Sequence, residues 1–383
     1  MEYGPLPRPP LTDFERVTNR EFLGNNRFKL GLFSFNKDGG LTNTLAPERW
    51  DARWENQVAL AQAGEEAGIE FLLPLAGWRG INGKAEGDGD FYESLTWAAG
   101  LLAKTQKIHV FSTIHVHFLN PIFAAKQAVT CDHIGSGRLG LNLVAGYNKD
   151  EFSMFGVNYQ GHEDRYAYLE EWLTIVRQIW TNHGPFNFNG SHFNLSNVWG
   201  GPKPLGSDRP ILVSAGSSET GRNFALKYSD ALFMFIADID TLEEEVRSIR
   251  KSMGNRKIKI YASGHVFCKK TASETKDYYH YLIHEKGDWD AGHYLLKAYE
   301  EIKSAPTEVL HAPEFIERLM SGHGTFPIIG DPDEIVAVWK RISDAGIDGM
   351  AFALPNYMED FKIIQEDVLP RLENLGLREK YFS

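Results

Sequence analysis

Gly137-Arg-Leu-Gly-Leu-Asn-Leu-Val-Ala-Gly-Tyr147 holds a short apolar strand, Leu139 to Val144, with one amide residue, Asn142, near its C-terminal end and glycines at 140 and 146. Burying an amide among Leu and Val costs about 1–3 kcal/mol unless its donors and acceptors are paired. Such a residue either ties loops together or faces a ligand rich in hydrogen-bonding atoms. The pattern on either side of it sets the fold.

Upstream, apolar runs at Phe28–Ser34, Ile69–Leu75 and Lys107–Ile114 read as strands. Helical patterns lie between them at Trp54–Ala67, ended by Gly68, at Phe91–Lys104 and at Pro121–Ile134, where Pro sits in the first turn. Downstream of the Asn142 strand, Tyr166–Trp180 is a helix with Leu169, Leu173, Val176 and Trp180 on one face. Strands follow at Pro210–Ser214, Ala231–Ile236, Ile258–Phe267 and Asp348–Ala353. Helices follow them at Glu219–Tyr228, Thr241–Met253, Ser273–Glu285 and Tyr357–Leu375, with a further helix at Pro332–Ala345. Strands alternating with helices imply a parallel sheet. Eight such units close into a (β/α)₈ TIM barrel. An open doubly wound sheet is the alternative, but Asn36-Lys-Asp-Gly-Gly40 does not match the dinucleotide fingerprint.

The expected organisation is one barrel domain over 28–383, with a Pro-rich arm at 1–27 lying on the surface or on a neighbouring subunit. Extended loops follow strands 1, 4 and 7. Residues 36–53 form the first. Residues 181–209 form the second and contain an Asn-Gly hairpin signal in Phe186–Phe193. Residues 286–331 form the third, a candidate lid or subunit contact.

The chain has 383 residues, 43% hydrophobic and 24% charged, with a net charge of −11. That balance argues against nucleic acid and acidic membrane surfaces as partners. Cys131 and Cys268 form no CxxC pair, so zinc and dithiol chemistry are not expected, and the count suits a cytoplasmic protein. No signal peptide or apolar membrane-length run is read.

Strand ends offer Ser34, Leu73, Thr113, Asn142 and Ser214, with no cluster of Asp, Glu and His for hydrolysis or metal binding. Such a floor suits a cofactor that brings its own reactivity. Ser214-Ala-Gly-Ser-Ser-Glu-Thr-Gly221 leaves a strand and opens a helix, with Ser217 or Ser218 at the N-cap, which makes a phosphate cradle. Arg165, Tyr166 and His162 are candidates to complete it. His115 and His117 fall on one strand face, where one of them is expected to face the pocket. Trp78 and Arg79 follow strand two and are candidates to line a substrate pocket.

Taken in order, these segments resemble the bacterial-luciferase-like flavin monooxygenases. The resemblance is nearest to the branch of pyrimidine, dimethylsulfone and alkanesulfonate monooxygenases. It is carried by Arg79-Gly-Ile-Asn-Gly-Lys84, Gly135–Gly146, Asp164-Arg-Tyr166, Lys203-Pro-Leu, Ala215-Gly-Ser-Ser218, Lys227-Tyr-Ser-Asp230 and Gly330-Asp-Pro-Asp-Glu. It implies a two-component enzyme that takes FMNH2 from an NAD(P)H:flavin reductase. Such an enzyme uses O2 to oxygenate a cyclic amide or heterocycle, sulfone or sulfonate through a flavin (hydro)peroxide. It implies a homodimer or homotetramer and no metal. Position by position, it implies flavin contacts from Ala76, Gly77, Asn142 and Glu151, and a phosphate grip from Arg165, Tyr166 and Ser218. It implies an oxygen pocket from Leu73, Thr113, Asn142 and Tyr147. Gly77-Trp78, Tyr147, His115 and His117 depart from the pyrimidine enzymes where a substrate would lie. The alternatives are an F420-dependent oxidoreductase of the same barrel and a non-catalytic flavin-binding protein.

Overall fold

Short apolar runs buried on both faces form the parallel strands, and amphipathic segments between them form the covering helices. The structure is a computed structural model; it describes residues 24–85, 87–205, 208–216, 218–302, 310 and 312–380. The chain begins with β1 (Lys29–Phe33), α1 (Trp54–Glu66), β2 (Phe71–Leu73), α2 (Ser94–Leu102), β3 (His109–His115), α3 (Pro121–Ile134) and β4 (Leu139–Val144). Next come α4 (Lys149–Met154), α5 (His162–Thr181) and a hairpin of β5 (Phe186–Asn189) and β6 (Asn194–Val198). Then follow β7 (Ile211–Ala215), α6 (Glu219–Tyr228), β8 (Ala231–Met234), α7 (Leu242–Ser252), β9 (Lys259–Cys268) and α8 (Ala272–His280). The chain continues through α9 (Trp289–Ile302), α10 (Pro313–Gly322), β10 (Phe326–Gly330), α11 (Pro332–Asp344), β11 (Gly349–Ala353), α12 (Tyr357–Ile363) and α13 (Leu369–Asn374).

Strands β1, β2, β3, β4, β7, β8, β9 and β11 pair in parallel in that order, and β11 returns to β1. The ring is closed, as the alternation predicts. The interior is filled by large residues set against small ones. Gly31 is the register partner of Phe71, Gly140 of Phe111, and Gly349 of Tyr261. A Cβ on Gly140 would lie 2.3 Å from the Phe111 ring, and one on Gly31 would lie 2.2 Å from the Phe71 ring. Phe71 meets Phe111 and Tyr261 edge-on, each at 5.7 Å between centroids, and Phe233 lies 5.5 Å from Tyr261. These rings close the barrel floor. Two residues further along, the same faces carry Phe33, Leu73, Thr113, Asn142 and Ser263.

The structure corrects the sequence reading in four places. The 286–331 segment is not irregular: it holds α9, α10 and a ninth strand, β10, paired in parallel with β9. Pro327 masked that strand. Proline is tolerated at a sheet edge, where its missing N–H is not needed, and β10 pairs only with β9. The helices at 273–285 and 357–375 each contain a π-helical turn, Tyr281–Glu285 and Ile364–Val368. The hairpin signalled by Asn189-Gly190 forms, but its loop runs from Gly190 to Phe193 and so is longer than the two-residue turn that an Asn-Gly pair alone would make. Glu171 accepts the Ser191, His192 and Phe193 backbone N–H groups there. Strand β3 ends at His115, and Val116–Phe118 turns into a 3₁₀ helix. Most of the expected N-terminal arm lies outside the described residues. No described helix is long and apolar enough to cross a membrane.

Replacing Gly140 by Ala forces a methyl group into the Phe111 ring, so urea denaturation should show a loss of about 1–3 kcal/mol; unchanged stability would contradict the packing. Burial pushes His109, His115 and His117 down to about 4, and His265 and His323 down to about 3. The unfolded chain protonates these rings below about pH 6.5 while the folded chain resists. Stability is therefore full above that pH and is lost as pH falls through about 6.5 to 4, by up to ~1.4 kcal/mol per unit for each histidine. Asp132, raised to about 6 by burial, opposes this, as do Glu151, Glu245 and Asp360, whose carboxyls burial also pushes up; the five histidines, which start to titrate at the higher pH, set the direction. Denaturation midpoints at pH 7.5 and 5 should differ in that direction; equal midpoints would contradict it.

Candidate active site

Above the aromatic floor, the C-terminal ends of the strands surround a cavity of about 400 Å³. Two groups of polar side chains line it. One holds Thr113, His115, Asn142 and Tyr147, beside Leu73 and Ala76; the other holds His162, Arg165, Tyr166 and Ser218.

In the first group, register pairs Thr113 with Asn142 across β3 and β4. The Thr113 hydroxyl donates to Pro74 O at 2.7 Å. Its oxygen can therefore only accept from Asn142 Nδ2, at 3.2 Å, which fixes the orientation of the amide. Asn142 Oδ1 is buried with no partner among the described residues. Tyr147 follows Gly146, whose φ of +74° turns the chain at the end of β4, and is about half exposed at the cavity mouth.

In the second group, Ser218 caps α6: its hydroxyl accepts from Gly221 N at 3.1 Å and lies 3.2 Å from His162 Nε2. The turn is tight because Gly216 and Gly221 leave no Cβ in it. A Cβ on Gly216 would lie 2.5 Å from the Gly221 backbone, and one on Gly221 would lie 2.6 Å from Tyr166 Oη. Arg165 stands in the first turn of α5, buried, with its guanidinium 4.5 Å from the Tyr159 ring centroid. One arm donates to Gln160 O at 2.6 Å, and Nε has no partner. No carboxylate among the described residues pairs with it. A buried guanidinium without a described counter-ion, beside a capped helix N-terminus, has the charge and donors that suit an anion.

Other expected residues stand outside the cavity lining. Once β3 ends, His117 points away and stacks on Tyr168 at 4.2 Å, so the two histidines do not share a face. Gly77 and Trp78 line a separate, water-sized space that shares Ala76, Thr113 and His115 with the cavity. The Trp78 ring packs edge-on against Phe155 at 4.9 Å. Arg79 is engaged by Asp150 at 2.8 Å. Glu151 is buried behind His115: Oε1 accepts from Trp78 N at 2.8 Å, and Oε2 lies 3.9 Å from His115 Nδ1. Ser217 lies outside the described residues. Sequence reading missed Ser263 and Phe33. A hydroxyl alternating with apolar residues in the Ile258–Phe267 run was the available signal for Ser263. Among the described residues, no cluster of His, Cys, Asp and Glu could hold a metal.

A family model described as luciferase-like monooxygenase matches residues 28–349. The chain belongs to the luciferase-like monooxygenase family. It is therefore placed among enzymes named as monooxygenases. Pyrimidine monooxygenase RutA of Pseudomonas savastanoi is 34% identical over 216 residues, 55% of this chain and 59% of that protein, so the match spans less than two thirds of that relative. The FMNH(2)-dependent dimethylsulfone monooxygenase of Pseudomonas fluorescens is 28% identical over 346 residues, 89% of this chain and 93% of that protein. Among solved structures, a riboflavin lyase superposes with a TM-score of 0.81 at 20% identity, covering 93% of this chain and 94% of that one, which shows the shared fold.

Replacing Thr113 by Val leaves the Pro74 carbonyl and the Asn142 amide nitrogen unpaired. Urea denaturation should register a loss of about 1–3 kcal/mol; a variant as stable as the parent would show that the hydroxyl does not organise these two groups.

Proposed function

We propose that the chain is an FMNH2-dependent two-component monooxygenase that oxygenates a small organic molecule with O2, its reduced flavin supplied by a separate NAD(P)H:flavin reductase. The observation that carries this reading is that one cavity joins the Asn142–Thr113 pair to the Arg165–Ser218 anion site. The residues present fit a flavin mononucleotide. Asn142 Oδ1 lacks a hydrogen-bond partner, and a reduced isoalloxazine carries N–H groups to donate. The unneutralised Arg165, Tyr166 and the Ser218-capped helix suit a phosphate dianion.

Bound reduced flavin supplies the electrons that activate oxygen. The chain's own residues do the rest. Arg165, Tyr166 and Ser218 hold the phosphate end. Thr113 keeps the Asn142 amide in one orientation. Leu73, Ala76 and Phe33 keep water from the reacting centre. The names of the relatives support flavin and small-molecule oxygenation; they leave open which molecule is oxygenated. A homodimer or homotetramer is part of the same reading.

The test is turnover under ¹⁸O2 with FMN and a flavin reductase, against cyclic amides, heterocycles, sulfones and sulfonates. One labelled oxygen should enter the product, and Asn142→Ala should abolish this while remaining folded. Ser218→Asp should weaken FMN binding at least about tenfold, by placing a carboxylate against the phosphate. Absence of labelled product, or tight binding of F420 in place of FMN, would overturn the reading.

A further inference from the structure

His115 has no role in the functional reading above, yet it is the side chain of the first polar group best placed to discriminate between substrates. It lines the cavity and is buried. Its Nδ1 is enclosed and without a hydrogen-bond partner, and Glu151 Oε2 lies 3.9 Å from it. That distance is too long for a hydrogen bond, but the carboxyl is the acidic group next to the ring; burial pushes it up, while the Trp78 N–H and the nearby Arg79 favour its ionised form. The other oxygen of Glu151 is held by Trp78 N, so the carboxylate is fixed in place. Phe118 lies edge-on to the ring at 5.4 Å, and His117 has both nitrogens without partners among the described residues. Glu93 lines the small space that the ring borders, but its carboxylate is held by Leu95 N and Thr96 N.

An imidazole proton placed on Nδ1 faces Glu151; one placed on Nε2 does not. Electrostatics therefore favour the Nδ1–H tautomer. Burial pushes His115 down to about 4, so the ring is neutral at physiological pH. A neutral ring protonated on Nδ1 presents Nε2 as a bare acceptor. No Lys or Arg lies in this group of lining residues, because Arg165 belongs to the other group and Arg79 is occupied by Asp150. An anionic sulfonate would find no cation here, and an aprotic sulfone would leave the acceptor unmatched.

We propose that His115 Nε2 is the hydrogen-bond acceptor that selects a substrate bearing an N–H or O–H group, with Glu151 as the positioning residue that fixes its tautomer. The cavity would accordingly take small molecules that carry an N–H or O–H donor, of which an imide is a simple probe, in preference to sulfones, sulfonates and alkanes. This narrowing rests on the monooxygenase reading of the cavity, and it is tested by binding, independently of turnover. A site built to hydrogen-bond a donor rejects analogues that lack one, because its own buried group is left unpaired.

The probes are succinimide, N-methylsuccinimide and dimethyl sulfone, titrated calorimetrically into the FMN-saturated full chain. Succinimide should bind about tenfold or more tighter than either of the others. His115→Leu should reduce that ratio to near unity while FMN affinity stays within about twofold, and Glu151→Gln should lower it partway. Nitrogen-15 NMR of the unmodified protein, which needs no variant to fold, should show His115 protonated on Nδ1 and bare on Nε2. Equal affinity for the two imides, binding of neither, tighter binding of the sulfone, or an Nε2–H tautomer would each overturn the proposal. Failure of the unmodified chain to bind FMN at all would instead strike at the monooxygenase reading.

Discussion

The pairing of interior glycines with interior aromatics is the constraint on which the rest of the structure depends. Gly31, Gly140 and Gly349 each sit opposite a ring, Phe71, Phe111 and Tyr261, in the register of adjacent strands. The absent Cβ atoms let the rings lie across the barrel axis and seal its lower half. Strand periodicity then decides what lies above. Two residues beyond Gly140 is Asn142, two beyond Phe111 is Thr113, and two beyond Phe71 is Leu73. One packing layer thus lifts a lone amide, a hydroxyl and an aliphatic side chain to the rim, with a dry floor beneath them.

The polar groups at that rim are fixed because each bond leaves the next only one option. Pro74 O takes the Thr113 proton, Thr113 must then accept from Asn142, and Asn142 Oδ1 is left unmatched. Glu151 takes the Trp78 N–H with one oxygen and turns the other toward His115. Opposite these, no carboxylate among the described residues pairs with Arg165, although the chain carries a net charge of −11. In an acidic protein, a buried guanidinium left unneutralised beside a capped helix tip is the feature that supports the proposed phosphate site.

The barrel was legible because its strands and helices have different periods and both are long enough to show them. The capped helix tip was legible because Ser and Gly have distinct backbone preferences. What stayed hidden was set by tertiary packing. Helix α9 contains Gly292, which reads as a breaker, yet a Cβ there would lie 2.3 Å from Met320 Sδ; the glycine serves the close approach of α10. Strand β10 carried a proline acceptable only at an edge. His117 was placed on the face of His115 because nothing in Ile-His-Val-His-Phe announces that the strand stops at the first histidine. The turn follows from packing of Phe118 and His117 against Phe155, Phe152 and Tyr168, residues supplied by other elements. Glu151 resembled a flavin contact by position, and the structure puts its carboxylate behind His115.

A crystal structure with FMN bound tests the central claim most directly. The account predicts the isoalloxazine ring inside the barrel mouth beside Asn142 and Thr113, and the phosphate within hydrogen-bond reach of Ser218, Tyr166 and Arg165. Density for the phosphate anywhere else on the molecule, or a ring bound outside the mouth with Asn142 Oδ1 still unpartnered, would contradict it.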